Sequence, residues 1–303
     1  MRSPLPPRDG VGATRLRLPR RGPWTTIAEH MAERFPHLGP EVLRARFARG
    51  EVVDADGRAL DIHTPLGAAD FVWYYREPPV ERDIPFDIEI LHSDDDLVVI
   101  DKPHFLPTTP SGRFLQNSAL IRLRRLLGND DLTPIHRLDR HTAGVVMFSA
   151  RPSTRGAYQS MFERREVEKE YEAISHLPAE PLPLPLTVRS HIRKERGVLR
   201  VQEIPGAAPN AETVIEAVSA EGRMLRTRLR PRTGQMHQLR VHLASVGAPI
   251  LNDPFYPELL PEAPDDFARP LQLLARELRF TDPLSGADRI FATGRALQAI
   301  DDA

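Results

Sequence analysis

A single carboxylate, Asp139, stands in the stretch PIHRLDRHTAG (134–144) among His136, Arg137, Arg140 and His141. A partly buried carboxylate stays ionised only where a cation, ideally a guanidinium fork, faces it, and in that state it can act as a nucleophile or a base. In most proteins an aspartate flanked by arginines in a loop is a surface ion pair of little energetic weight. Here the loop runs between Thr133-Pro134 and the apolar strand GVVMFSA, so the carboxylate falls at the margin of a sheet, where partial burial is expected.

Two further stretches could share a site with it. EVEKEYEAISHL alternates strictly, so as a strand it puts Val167, Lys169, Tyr171 and Ala173 on one face and Glu166, Glu168, Glu170 and Glu172 on the other. An acidic outer face turns Lys169 and Tyr171 inward, where a lysine needs a partner. In TGQMHQLRVHLASVG the apolar stripe Met236, Leu239, Leu243 and Val246 predicts a helix from Thr233 to Gly247, with Arg240 off the stripe on the flank of His237. Lysine is scarce: only Lys102, Lys169 and Lys194 among 41 basic residues, so each marks a place where a compact ammonium is wanted.

Other chemistries find no support. HRLDRH and HQLRVH each hold two histidines five apart, which places them on different faces of a helix or of a strand, and no His-Glu-x-x-His helix is present, so no metal site is expected. The chain has no cysteine, which removes disulfides, thiolate zinc sites and cysteine nucleophiles together. Neither a Gly-rich phosphate loop nor the Gly-x-Ser-x-Gly elbow of serine hydrolases occurs.

The elements that must position these residues follow from pattern. Residues 1–22 are Pro/Arg-rich and read as a loose arm. A small α/β domain over 23–80 begins with a helix capped by Thr26 and Glu29, continues with GPEVLRARFARG from Pro40 to Gly50, and adds strands EVV, RALDI and ADFVWYY. REPPVERDIPFDI reads as the linker to a larger domain over 81–303. That domain opens with the hairpin IEILHSDDDLVVIDKP, then a helix SALIRLRRLLG capped by Asn117, the strand GVVMFSA and a helix capped by Ser153. The alternating strand, the Pro-rich PAEPLPLPL and a hairpin turning at Glu221-Gly222 follow. Strands joined by hairpins rather than regular crossovers predict an α+β fold with a largely antiparallel mixed sheet.

With 303 residues, 41% hydrophobic and 27% charged, the chain reads as an ordinary globular protein. No apolar run would serve as a signal peptide core or span a bilayer, which makes a monomeric cytoplasmic protein without membrane contact the default expectation. A net charge of −1 argues against a nucleic-acid partner on average, yet charge is segregated: six arginines and no acid lie between Gly222 and Arg240. Taken alone, such runs are more often solvated faces than binding patches.

LVVIDKP, PIHRLDRHTAGVVMFSA, VEKEYEA and RPRTGQMHQLRVHLASVGAPILNDPFY, in this order, resemble the successive motifs of the RluA-type pseudouridine synthases. The resemblance implies a pseudouridine synthase catalytic domain with a central RNA-binding cleft, which isomerises uridine in structured RNA, ribosomal ahead of transfer RNA, without cofactor or metal. Asp139 matches the catalytic aspartate, Tyr171 the tyrosine that packs on the target base, and Arg240 the arginine that pairs with the aspartate. Arg137 matches the arginine that fills the gap left by the extruded nucleotide. His136, Lys102, Lys169, Gln235 and His237 fall in the same motifs and are expected to contact RNA.

The departures are specific. Gln235 stands where the family has arginine, TAG replaces T-S-G, and Ala275-Arg276 lacks the histidine of the family's Leu-His-Ala. A catalytically inactive RNA-binding protein of the same fold is the alternative that Gln235 keeps open. The N-terminal domain loosely resembles the αL RNA-binding motif, with Arg44, Arg46 and Arg49 giving its second helix a basic character; a plain structural subdomain fits equally.

Overall fold

Alternating apolar patterns and local caps build two compact units in the computed structural model, which describes residues 3–76 and 81–298. One unit comprises residues 1–81 with 112–116, the other 82–111 with 117–303. Residues 77–80 of the expected linker lie outside the described residues.

In the smaller unit, β1 (Thr14–Arg17), α1 (Ile27–Arg34), α2 (Pro40–Ala48), β2 (Val52–Val53) and β3 (Phe71–Tyr74) form a three-stranded sheet of order β1-β3-β2 with two helices. The capping box forms as expected: Thr26 Oγ1 accepts from the Glu29 N–H at 3.2 Å and the Glu29 carboxylate accepts from the Thr26 N–H at 3.3 Å. The expected loose arm is not loose throughout, because Thr14–Arg17 pairs antiparallel with β3, alternating half-buried and exposed positions as an edge strand does. RALDI makes only an isolated bridge from Ala59 to Val53. The basic character expected of α2 is largely absorbed: Arg46 is buried, Arg44 pairs with Glu41 and Arg49 with Glu51.

The larger unit holds β4 (Glu89–Ser93), β5 (Leu97–Lys102), α3 (Ala119–Leu127), β6 (Thr133–Pro134), β7 (Ala143–Ser149), α4 (Pro152–Glu163) and β8 (Glu168–His176). It continues through β9 (Leu186–Ser190), β10 (Ile192–Lys194), β11 (Val201–Glu203), β12 (Ala211–Glu221), β13 (Met224–Pro231), α5 (Gln238–Ser245), β14 (Leu273–Thr281) and β15 (Asp288–Ala292). Ten strands form one sheet along the path β4-β5-β7-β14-β8-β13-β12-β9, with β15 on β14 and β6 on β7, while β10 and β11 form a separate hairpin. Every pairing in the large sheet is antiparallel except β7 with β14, which makes it a mixed sheet in an α+β fold.

Three helix starts differ from the sequence expectation, each for a local reason. Ser118, not Asn117, caps α3, accepting from the Ile121 N–H, while the Asn117 carboxamide oxygen is taken by Arg122. Pro152 occupies the first position of α4, so Ser153 lies inside the helix and makes no cap. α5 begins at Gln238 rather than Thr233, because the Gln238 carboxamide oxygen accepts from the Thr233 hydroxyl at 2.7 Å and the Gln235 N–H at 3.0 Å, folding 233–237 into a turn. Met236, expected in the apolar stripe, is therefore exposed.

α4 packs Tyr158 and Met161 against Leu97, Val99, Val145 and Met147, and α5 packs Leu239 and Leu243 against Ala173, Ile215, Leu229 and Leu273. Each such fully buried side chain contributes about 1.5–3 kcal/mol. The outer faces of β8, β12 and β13 carry the segregated charge. Arg226 pairs with Glu172, Arg228 with Glu170, Arg230 with Glu170 and Glu216, and Arg232 with Glu212. The arginine run is thus mostly a lattice of ion pairs with acids one strand away.

Gly144 marks the one parallel join. Its φ is 113°, and a Cβ there would lie 2.2 Å from the Ala275 carbonyl oxygen and 2.8 Å from the Ala275 nitrogen. Since that neighbour is backbone, it cannot move aside cheaply. Gly144→Ala is expected to lower the unfolding free energy by about 3 kcal/mol or more, read by urea denaturation; a loss within about 0.5 kcal/mol, the range of an ordinary surface substitution, would show that the join tolerates a side chain.

Candidate active site

The loop carrying Asp139 is clamped from below. The Thr108 hydroxyl donates to the Leu138 carbonyl at 2.8 Å and accepts from the Leu138 N–H at 3.1 Å. The Lys102 ammonium, fully buried, donates to the carbonyls of Pro103 at 3.0 Å, Leu106 at 2.7 Å and Arg140 at 3.4 Å. Burial pushes Lys102 down to about 7, against the opposing pull of the Asp139 carboxylate. Arg140 pairs with Asp265 and donates to His141 Nε2, so neither faces a substrate as a free cation.

Asp139 itself is 28% exposed and opens into a cleft of about 600 Å³ lined by His136, Arg137, Lys169, Tyr171, Gln235 and Arg240 among others. Its Oδ2 lies 3.5 Å from Arg240 Nη1 and 3.8 Å from His237 Nε2. The guanidinium has a second, tighter partner. Arg240 Nε donates to Asp253 Oδ2 at 2.8 Å and Nη2 to Oδ1 at 2.5 Å, a buried fork, while the Phe255 and Tyr256 rings lie 4.7 and 5.5 Å from its central carbon. Asp253 is fixed in turn by the N–H groups of Phe255 and Tyr256. Nη1 has no hydrogen-bond partner among the described residues and remains for Asp139.

Tyr171 enters from β8, registered against Leu229 on β13 and Ala275 on β14. Burial, reinforced by the Asp139 charge, raises its phenol above the ordinary value, so it is a neutral aromatic face and not a phenolate. Two residues earlier on the same face, Lys169 donates to the Thr233 carbonyl at 3.1 Å and joins the 233–237 turn to the strand. Burial and the nearby Arg165 lower its pKa. Arg137 is exposed, and no partner is recorded for its guanidinium among the described residues.

A sequence model of the RNA pseudouridylate synthase family matches residues 96–245, the stretch that holds all of these motifs but Asp253 and its turn. Human pseudouridylate synthase RPUSD2 is 39% identical over 203 residues, covering 65% of this chain, which spans only 36% of the human protein's length. The dual-specificity RNA pseudouridine synthase RluA of Haemophilus influenzae is 32% identical over 228 residues, 71% of this chain and 94% of its own length. The chain belongs to the RluA-type pseudouridine synthases. Among solved structures, human RNA pseudouridylate synthase domain containing 4 superposes with a TM-score of 0.52 at 27% identity, covering 69% of this chain and 88% of that one. Fold and enzyme class, an RNA-modifying isomerase, follow from this membership.

Within this family frame the structure brings Asp139, Tyr171 and Arg240 to one cleft, with Arg137, Lys169 and Gln235 on its walls. One expected RNA contact needs correction, and two others are qualified in their charge. Lys102 does not reach the cleft, because its ammonium is spent on three carbonyls beneath the loop. His136 lines the cleft as a neutral ring: burial pushes it down to about 3, it accepts from the Met147 N–H, and it stacks on Phe162 at 4.7 Å. His237 is buried and pushed down to about 4, so it offers RNA no charge. Sequence reasoning missed Asp253 and its rings, for which the signal was a lone acid inside the otherwise apolar PILNDPFY. It also missed Arg165 and Asn210, which line the cleft without a local pattern to mark them.

Removing one member of a buried pair leaves the other uncompensated, so Asp253→Ala should cost about 3–5 kcal/mol of stability. Asp139→Asn, at a partly exposed position, should cost no more than about 1 kcal/mol. Equal losses in denaturant melts would contradict the primacy of the Arg240–Asp253 fork. For Lys102, a folded value near 7 against an ordinary 10.5 means that the unfolded chain binds more protons between those limits. Wild-type stability relative to Lys102→Met should therefore rise as pH increases through that window, by up to about 1.4 kcal/mol per pH unit. A flat or falling difference would show that the ammonium is not destabilised by its burial.

Proposed function

We propose that this chain converts uridine to pseudouridine at specific sites in structured RNA, ribosomal ahead of transfer RNA, with Asp139 as the attacking carboxylate. One observation carries the reading: an accessible carboxylate at 3.5 Å from a buried guanidinium opens into the same cleft as an inward-facing, neutral tyrosine.

The reaction breaks the bond between N1 and the sugar, turns the uracil, and forms a bond from C5 to the same carbon, with the C5 proton lost and N1 protonated. Buried in a duplex, neither bond is reachable, so the nucleotide must leave its stack. Tyr171 offers a ring face for the extruded base, a contact of about 1–3 kcal/mol for stacked bases. Because its phenol holds its proton tightly, Tyr171 acts by stacking and not as the base that removes the C5 proton. Asp139 attacks C6 of the uracil or the anomeric carbon, oriented by Arg240 at 3.5 Å. Arg137, exposed at the rim and without a recorded partner, suits the RNA backbone or the space the base has left. Gln235 donates to the Asn210 carbonyl at 3.5 Å and leaves the three central residues undisturbed, which favours an active enzyme over an inactive RNA-binding protein.

Asp139→Asn should keep its fold and its salt-dependent RNA binding and form no pseudouridine. Comparing pseudouridine maps of ribosomal and transfer RNA between source cells with and without the gene identifies the substrate. Undiminished turnover by the Asn variant, or a map without a missing site, sinks the proposal.

A further inference from the structure

His237 is an unusual residue to find where it is. It stands in the left-handed region with φ 54° immediately before α5, a conformation that costs a non-glycine residue of order 1 kcal/mol and that is kept mostly where a site needs it. Its ring is buried and makes two polar approaches. Nδ1 lies 3.1 Å from the Tyr256 hydroxyl, and Nε2 lies 3.8 Å from Asp139 Oδ2. The Tyr256 hydroxyl in turn accepts from the Val201 N–H at 2.9 Å, and the Val201 carbonyl is farther, at 3.4 Å. With the Val201 N–H directed at its oxygen, the hydroxyl's own proton is best directed to the nearer acceptor, Nδ1 of His237. An imidazole that accepts at Nδ1 carries its proton on Nε2, and that N–H faces the carboxylate. Asp139, Arg240, Asp253 and Lys194 are the charged groups that act on the ring.

We infer that His237 is a positioning residue for Asp139: the chain Val201 N–H, Tyr256 O–H, His237 Nε2–H ends on the carboxylate as a neutral donor. The inference rests on the pseudouridine synthase reading of the cleft. Its physical sense lies in the division of labour with Arg240. Arg240 already sets one cation against Asp139 Oδ2, and a second cation on the same oxygen would draw off electron density that the attack needs. A neutral N–H fixes the carboxylate's orientation without that penalty. The separation of 3.8 Å is longer than a hydrogen bond, as donors in empty sites commonly are before substrate draws them in.

The two carboxamide replacements separate this role from a structural one. Gln places its N–H₂ near Nε2 and can still donate to Asp139, whereas Asn reaches only the Nδ1 position. The left-handed backbone ranks them in the opposite order, since Asn tolerates that conformation and Gln does not. On RNA that the wild type modifies, His237→Gln should keep kcat within about 10-fold, and His237→Asn should lose about 100-fold or more, with KM changed less than about 3-fold in both. Tyr256→Phe, which frees the tautomer, should fall between them.

Imidazole 15N NMR of the wild-type protein gives a readout independent of activity, with the His237 signals assigned by their loss in His237→Gln. The Nε2–H tautomer at neutral pH is expected; an Nδ1–H tautomer or an imidazolium overturns the inference even if turnover is normal. Asn matching or exceeding Gln in kcat overturns it as well. A wild type that forms no pseudouridine on any RNA, despite the expected tautomer, fells the functional reading and this role together.

Discussion

A guanidinium stays charged at any pH the fold survives, so burying Arg240 to 1% exposure obliges the chain to surround it with negative charge and ring faces. Asp253 takes two of its nitrogens in a fork, Phe255 and Tyr256 cover it, and the third nitrogen is left for Asp139. The cation belongs to the fold first and to the chemistry second. A carboxylate set against a cation already neutralised by another acid is held in place without being fully quenched, which suits the attack proposed for Asp139.

The sheet delivers the other parts to that fixed point. The loop 136–142 is held from beneath by Thr108 and Lys102, and its exit strand β7 meets β14 in the one parallel join, where only Gly144 fits. β8 presents Lys169 and Tyr171 on the face opposite its glutamates, and those glutamates meet the arginines of β13. Charge therefore cancels on the outer surface while the cleft keeps Arg137 and Arg165 at its walls. A net charge of −1 is in this way compatible with an RNA substrate: what matters is the few cations left without acids, and the run of six arginines is mostly not among them.

Period-2 alternation made β8, its inward Tyr171 and its acidic face legible, because side-chain direction in a strand depends on little else. Motif order made Asp139 and Arg240 legible as a pair. What pattern could not show was that Arg240's tighter partner is Asp253: a contact between a helix and a turn thirteen positions on depends on how the chain doubles back, and periodicity carries no such information. The helix start at 233 failed for a related reason. The Gln238 side chain competes for the backbone of 233–235, and apolar spacing is blind to that competition. Lys102 was marked correctly as a place where an ammonium is needed, but the need is for carbonyls inside the protein and not for phosphates outside it.

The central claim is that Arg240 serves the reacting carboxylate and not the grip on RNA. The direct test is a pair of measurements on Arg240→Lys: the single-turnover rate of pseudouridine formation and the equilibrium RNA affinity. Lysine cannot hold Asp253 in a fork and aim a further N–H at Asp139, so the rate should fall by about 100-fold or more while affinity changes less than about 3-fold. A parallel loss of rate and affinity, or a rate near that of wild type, would contradict the account.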